Sequence, residues 1–440
     1  MQYIPNIIFL FLLVAGIGYF TKNILKVIRN IKLGKSIKEI DNKAERYANV
    51  ARIALGQSKM VKRPVSGALH IIVYVGFIVI NIEVLEIIID GLFGTHRVFA
   101  FLGPVYDALI AIFEVLAFLV LVGVIAFWLR RNVIKLKRFW ANEMKGWPKQ
   151  DGNIILYFEV VLMILFLTMN GADLALQNMG ADHYTQAGSF PISGFLQPLF
   201  EGMSEATLIL IERAAWWIHI VGILVFLNYL YFSKHLHIML AFPNVFYGRT
   251  TPKGQFKNNE TVTAEVKMMM DPNVDPFAAP PADAPAPEKF GASDVMDLNQ
   301  IQLLNAYTCT ECGRCTDECP ANKTGKKLSP RKIMMDTRDR LQEVGKNLDA
   351  NKGVFVPDNK QLLGDYITTE ELWACTTCNA CVEACPVSID PLSIIMDMRQ
   401  YLVMEQSAAP NELNVTMTNI ENNGAPWPFN QQDRLNWKND

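Results

Sequence analysis

Five runs of apolar residues, each long enough to cross a hydrocarbon layer as a helix, constrain this chain more than any other feature. They lie near Ile4 to Phe20, Gly67 to Ile89, Phe101 to Leu129, Ile154 to Ala172 and Ala206 to Phe232, and about 20 helical residues suffice for one crossing. Backbone in lipid must satisfy its own polar groups, so the first half is expected to be a five-span, all-α bundle. Composition agrees, with 51% hydrophobic and 19% charged residues in 440, against roughly 25% charged in a soluble domain. The first run lacks a basic leader and a small-residue cleavage site and reads as a retained helix.

Charge then orients the spans. Lys22 to Arg63 holds twelve Lys or Arg against three acids, and Arg130 to Asp151 holds seven against two. The segments Asp90 to Ala100 and Asp173 to Glu205 contain only Arg97 between them. By the positive-inside bias the N-terminus lies outside and the C-terminal half is cytoplasmic, as expected of a multi-pass protein of a bacterial inner membrane in contact with lipid. A net charge of −2 and a pI near 6.3 give no reason to expect nucleic acid as a partner. From Thr250 to Asp294 the chain turns to Pro, Ala and Asp and reads as an extended linker. The expected domains are 1–248 (membrane bundle), 249–295 (linker), 296–405 (a helical domain) and 406–440 (a polar tail).

All eight cysteines fall in the helical domain, in two copies of C-x2-C-x2-C-x3-C-P: Cys309, Cys312, Cys315 and Cys319 before Pro320, then Cys375, Cys378, Cys381 and Cys385 before Pro386. Three thiolates at intervals of three wrap one face of a cubane, and the fourth reaches the other cluster. One [4Fe–4S] cluster is therefore expected on Cys309, Cys312, Cys315 and Cys385, and the other on Cys375, Cys378, Cys381 and Cys319. Structural zinc has no use for the third cysteine and the Cys-Pro step in both copies. Arg314, Lys323, Lys326, Lys327 and Arg331 near the first block read as a solvated face, or as charge that favours a reduced cluster or docks an acidic partner. Between the blocks Ser329 and Pro330 open a helix through Leu341. With no visible strands, the region from Leu298 to Leu402 resembles the α-helical ferredoxin domain of the iron–sulfur subunits of succinate dehydrogenase, anaerobic glycerol-3-phosphate dehydrogenase and heterodisulfide reductase.

Histidines and acids mark the membrane half. His70 and His237 share a depth near the cytoplasmic boundary, as the axial pair of a b-type haem requires. His219 lies eighteen residues before His237, five turns along one continuous helix, and reads as a ligand of a second haem or as a quinone-pocket residue. Asn81 occupies the position where a partner ligand would be wanted, leaving His96 to reach in. His235 reads as a headgroup or partner contact. Glu83 and Glu86, with Asp90, Glu114 and Glu159, are candidates for proton movement to or from a quinone; the alternative for Glu86 and Asp90 is that they reach the outer interface.

The five spans, His219 and the run Ser233-Lys234-His235-Leu236-His237-Ile238 resemble the gamma subunit of respiratory nitrate reductase, and still more the cytochrome b subunit of membrane heterodisulfide reductase and related iron–sulfur oxidoreductases. The resemblance implies a quinone-reactive cytochrome with His70 and His237 as the cytoplasmic-side haem pair and His219 as a ligand of the other haem. The expected function is a membrane electron-transfer subunit of a respiratory oxidoreductase, linking a cytoplasmic partner to menaquinone or ubiquinone through two [4Fe–4S] clusters and haem b. No adjacent cysteine pair occurs, so a Cys-Cys-Gly domain protein or a flavin dehydrogenase is expected as a separate redox subunit. A redox-driven ion pump and a membrane-tethered redox sensor are the alternatives.

Overall fold

The computed structural model describes residues 3–439 except 38, 39, 253, 257, 274 and 276–288, so much of the Pro/Ala-rich stretch lies outside the described residues. The apolar runs form α1 (Ile4–Ile31), α2 (Pro64–Phe93), α3 (Pro104–Asn132), α4 (Trp147–Met179) and α5 (Glu205–Tyr229). All five are long and apolar enough to cross a membrane. A proline in the first turn opens α2, α3 and α4, where its missing N–H costs no hydrogen bond. Left-handed Gly94 and Gly180 close α2 and α4.

The helices form a ring in which α2 packs on α3, α3 on α4 and α4 on α5, with α1 between α5 and α2. Gly76 sets the approach of α2 to α3, because a Cβ there would collide with Val120 Cγ2. Outward apolar residues such as Phe77, Ile78, Phe118, Val122 and Val161 are exposed, as a lipid-facing surface requires.

The fifth span does not continue to His237. A 3-10 turn (Leu230–Phe232), extended Ser233 (φ −110°, ψ 149°) and a second 3-10 turn (Lys234–Leu236) precede α6 (His237–Phe246). The expectation that His219 and His237 share one face of one helix is therefore overturned. Polar groups hold the break: buried Asp151 of α4 accepts from Tyr229 Oη (2.6 Å) and Lys234 N (3.1 Å), and Ser233 Oγ accepts from His235 N (3.0 Å).

The C-terminal half is helical too, built on α7 (Gln300–Thr308), α8 (Pro330–Ala350) and α9 (Pro391–Met404). Leu303, Ile333, Leu341, Ile394 and Met398 are wholly buried in its core, as are Ala292 and Val295. Asn299 and Gln302 form a capping box on α7, and Ser329 caps α8, which runs to Ala350, beyond the expected Leu341. A helix, Glu260–Met270, stands in the segment expected to be extended. Asn259 caps it, and apart from Pro252 the prolines of the segment follow its end. The described residues contain two isolated bridges and no strand, so the fold is all-α.

The two halves are in direct contact. The C-terminal end of α1 packs on α7 and α8, with Asn30 Nδ2 donating to Tyr307 Oη at 2.9 Å and Arg29 to the Gly345 carbonyl at 3.0 Å. The segment after α3 adds Glu143, which accepts from Arg331 Nη2 and Ser329 Oγ, each at 2.7 Å.

Candidate metal centres

The two cysteine blocks have the same backbone. In each, the residues on both sides of the second cysteine are left-handed: Glu311 and Gly313 (φ 54° and 75°) flank Cys312, and Thr377 and Asn379 (φ 55° and 59°) flank Cys378. Two reversals so close together curl the loop around a point. A short helix follows each, Arg314–Glu318 and Ala380–Ala384, and each ends on an extended cysteine before proline. Gly313 is required for a further reason, since a Cβ there would lie 2.6 Å from Arg331 Nη1.

The two short helices pack on each other, and their contact brings cysteines of the two blocks together. Cys309, Cys312, Cys315 and Cys385 line one cavity with Gly313, Arg331 and Met334, and Cys381 lines it too. Cys319 lies instead within electrostatic reach of Cys375 and Cys381. Burial pushes the Cys309 thiol up to about 12 and Cys385 to about 11, and raises Cys315 strongly, neighbouring thiols adding to the effect. Four thiolates there require a positively charged group among them. Among the described residues no three His, Cys, Asp or Glu side chains are gathered as tightly as around one metal ion.

The quartets differ in surroundings. Cys378 is exposed, whereas Cys309 and Cys319 are buried and the rest intermediate. Arg331 is wholly buried and Arg314 is 5% exposed, so neither belongs to a solvated face; Lys323, Lys326 and Lys327 are exposed. Arg399 lies beside the second block, donating to the carbonyls of Leu372 and Cys375.

Beyond the first quartet, toward the bundle, lie the histidines. His70, two turns into α2, comes within electrostatic range of His235, His237 and Arg314. The His235 and His237 rings are 5.3 Å apart, and His235 also packs on Phe226 at 5.4 Å. His235 is thus a member of the group and not a headgroup contact; a helical period wrongly sets it on the face opposite His237. Burial pushes His235 down to about 3 and lowers His237 as well, which keeps both imidazoles neutral, the form that ligates iron. His237 Nδ1 pairs with the Lys234 carbonyl at 3.1 Å and His219 Nδ1 with the Leu162 carbonyl at 3.0 Å. Each bond leaves Nε2 as the free acceptor, the usual arrangement for a metal-binding imidazole. The Nδ1 of His70 is buried without a partner among the described residues.

His96 does not reach in toward His219. Its Nδ1 accepts from Thr185 N at 3.2 Å and its Nε2 lies 3.3 Å from Asp173. Asn81 is exposed on the outer face of the bundle and donates back to the Phe77 carbonyl. Glu86 accepts from Tyr106 Oη (2.8 Å) and Phe99 N (2.9 Å), and Asp90 from Thr95 Oγ1 (2.5 Å) and Arg97 N (2.8 Å), so both fasten the outer loop. Glu114 anchors Ile192 and Ser193 through their backbone N–H groups. Glu83 is 3% exposed, and its Oε2 has no partner among the described residues.

Two cysteine quartets in a helical domain, held against a bundle of membrane-spanning helices, define a membrane iron–sulfur protein with an electron-transfer role. Residues 308–389 match the 4Fe-4S dicluster domain family. The relatives are iron–sulfur oxidoreductases. The chain is 31% identical to the probable iron-sulfur-binding oxidoreductase FadF of Bacillus subtilis, over 99% of this chain and 61% of that protein. It is 26% identical to the EtfAB:quinone oxidoreductase of Syntrophomonas wolfei, over 90% of this chain and 54% of the relative. It is also 30% identical to one of the subunits of the ferredoxin/F(420)H(2)-dependent CoB-CoM heterodisulfide reductase of Methanosarcina acetivorans, over 30% of this chain and 66% of the relative. The chain thus spans 61% and 54% of the length of these first two relatives. No solved structure matches.

Proposed function

We propose that this chain is the membrane electron-transfer subunit of a respiratory oxidoreductase, joining a separate cytoplasmic redox subunit to membrane quinone. One observation carries the reading: Arg314 lies within electrostatic reach of Cys312, Cys385 and His70, and with Arg63 it ties the segment that leads into α2 to the cysteine domain. Cys309, Cys312, Cys315 and Cys385 would hold one [4Fe–4S] cluster and Cys375, Cys378, Cys381 and Cys319 the other. His70 and His237 would hold haem b, with His219 as a ligand of a second haem or a quinone-pocket residue. The open quartets suit a cubane, and the orphan Nδ1 of His70 with the free Nε2 of His237 suits an axial pair. When bound, these groups supply one-electron carriers. The chain's own residues set their spacing, exclude water and, at Glu83, offer a carboxyl inside the bundle for proton exchange with a quinone. The quinone named for one relative supports menaquinone or ubiquinone as the membrane partner. The basic segments support a cytoplasmic position for the cysteine domain.

Purified full-length protein is expected to hold about eight iron and eight acid-labile sulfide, as two cubanes require, with a b-type haem spectrum. Cys385→Ser should disturb the cluster of the first block rather than that of its own. Bound zinc without sulfide, or full clusters without haem absorbance, would overturn the corresponding part of the reading.

A further inference from the structure

The segment Gln57 to Arg63, which leads into α2 and so to His70, is clamped from the cysteine side. Arg63 pairs with Asp317 at 2.8 Å and Glu318 at 3.0 Å, and Lys62 with Glu383 at 2.6 Å. These are part-exposed ion pairs of the kind that contribute little each. Arg314 is different. It sits between Cys312 and Cys315, is 5% exposed, and donates to the carbonyls of Lys59 (3.2 Å) and Met60 (3.3 Å). No carboxylate pairs with it among the described residues. Burial and Arg63 disfavour its charge; the opposite charges within its reach belong to Cys312 and Cys385, one cysteine from each block.

A buried guanidinium whose counter-charge is two cysteines has a place only if those cysteines stay ionised, and an iron–sulfur cluster keeps them so. A cubane with four thiolates becomes more negative by one charge on reduction. Burial of the first quartet opposes that change, and a fixed cation at the same place offsets it. Arg331 contributes less because Glu143 neutralises it at 2.7 Å.

Resting on the ligand sets given above, we propose that Arg314 is a positioning residue with two duties. Its charge holds the reduction potential of the cluster on Cys309, Cys312, Cys315 and Cys385 up, and its donors fix that cluster against the segment carrying His70. That cluster is the one on the membrane side, and the cluster with exposed Cys378 is the one facing the soluble partner. Each electron gained by the first is lost by the second, with no proton moved.

The test is a redox titration followed by electron paramagnetic resonance on the full chain in detergent, with Cys378→Ser identifying the second signal. Arg314→Gln should lower the midpoint of the first cluster at least tenfold in the one-electron equilibrium, which is about 59 mV, and leave the second unmoved. Arg314→Lys, which keeps the charge, should stay near the wild-type value. Two full clusters with unmoved midpoints, or a shift confined to the second signal, would overturn Arg314's role while sparing the ligand sets. Cys385→Ser removing the second signal would overturn the ligand sets themselves. If Arg314→Gln loses the first cluster, Arg314→Lys decides: a loaded site with the wild-type midpoint supports the proposal, and a lowered midpoint or an empty site overturns it.

Discussion

A histidine's use depends on what its other nitrogen does. His219 and His237 each give Nδ1 to a carbonyl, while His96 spends one nitrogen on Thr185 N and the other on Asp173. His70→Ala or His237→Ala should therefore abolish the low-spin b-type spectrum or make it high-spin, whereas His235→Ala should leave it low-spin. His219→Ala sorts its two readings: loss of a second haem signal makes it a ligand, and intact haem with slower quinone turnover makes it a pocket residue. Absorption spectra of the reduced, purified variants measure all four. The two cysteine blocks were legible in the sequence as a 4Fe-4S dicluster pattern because their repeat is covalent spacing and needs no tertiary information. His235 was not, because its position depends on a chain break at Ser233 that a hydrophobic pattern does not register. Arg314 and Arg331 looked like surface charge for a similar reason: the groups that cover them come from residues 59–60 and 138–143.

At the scale of elements, the bundle was legible as five apolar runs, and the structure adds the joints. The connection after α3 is one of them, since Glu143 meets wholly buried Arg331 at the start of α8. Burial would raise the Glu143 carboxyl, but Arg331 and Ser329 more than compensate and hold it below its ordinary value near 4.5. A carboxylate depressed in the folded state stabilises it above its unfolded value, and that contribution is lost as the pH falls through the folded value. The joint should thus be indifferent to pH between 6 and 8 and loosen below about 4.5. Glu143→Gln strands the Arg331 charge and should cost about 3 to 5 kcal/mol at neutral pH. Hydrogen exchange at the first turns of α8 gives the measurement; equal protection in the variant and the parent protein would contradict the argument.

The whole molecule is a bundle and a cysteine domain pressed together, and the proposed orientation rests on the basic segments. A reporter fused after Asp440 should work only if it is active in the cytoplasm, and one placed between residues 180 and 200 only if it is active outside. The reverse pattern would put the cysteine domain on the wrong side for a cytoplasmic donor. The length of α1 carries a further consequence, for biogenesis. Its 28 residues make about 42 Å of helix, some 12 Å more than the hydrocarbon core. The surplus is the seat on which α7 and α8 rest, so during synthesis α1 waits for a domain made about 280 to 320 residues later. In nascent chains arrested at increasing lengths, a thiol introduced by Asn30→Cys should stay reactive until α8 has emerged and then fall silent.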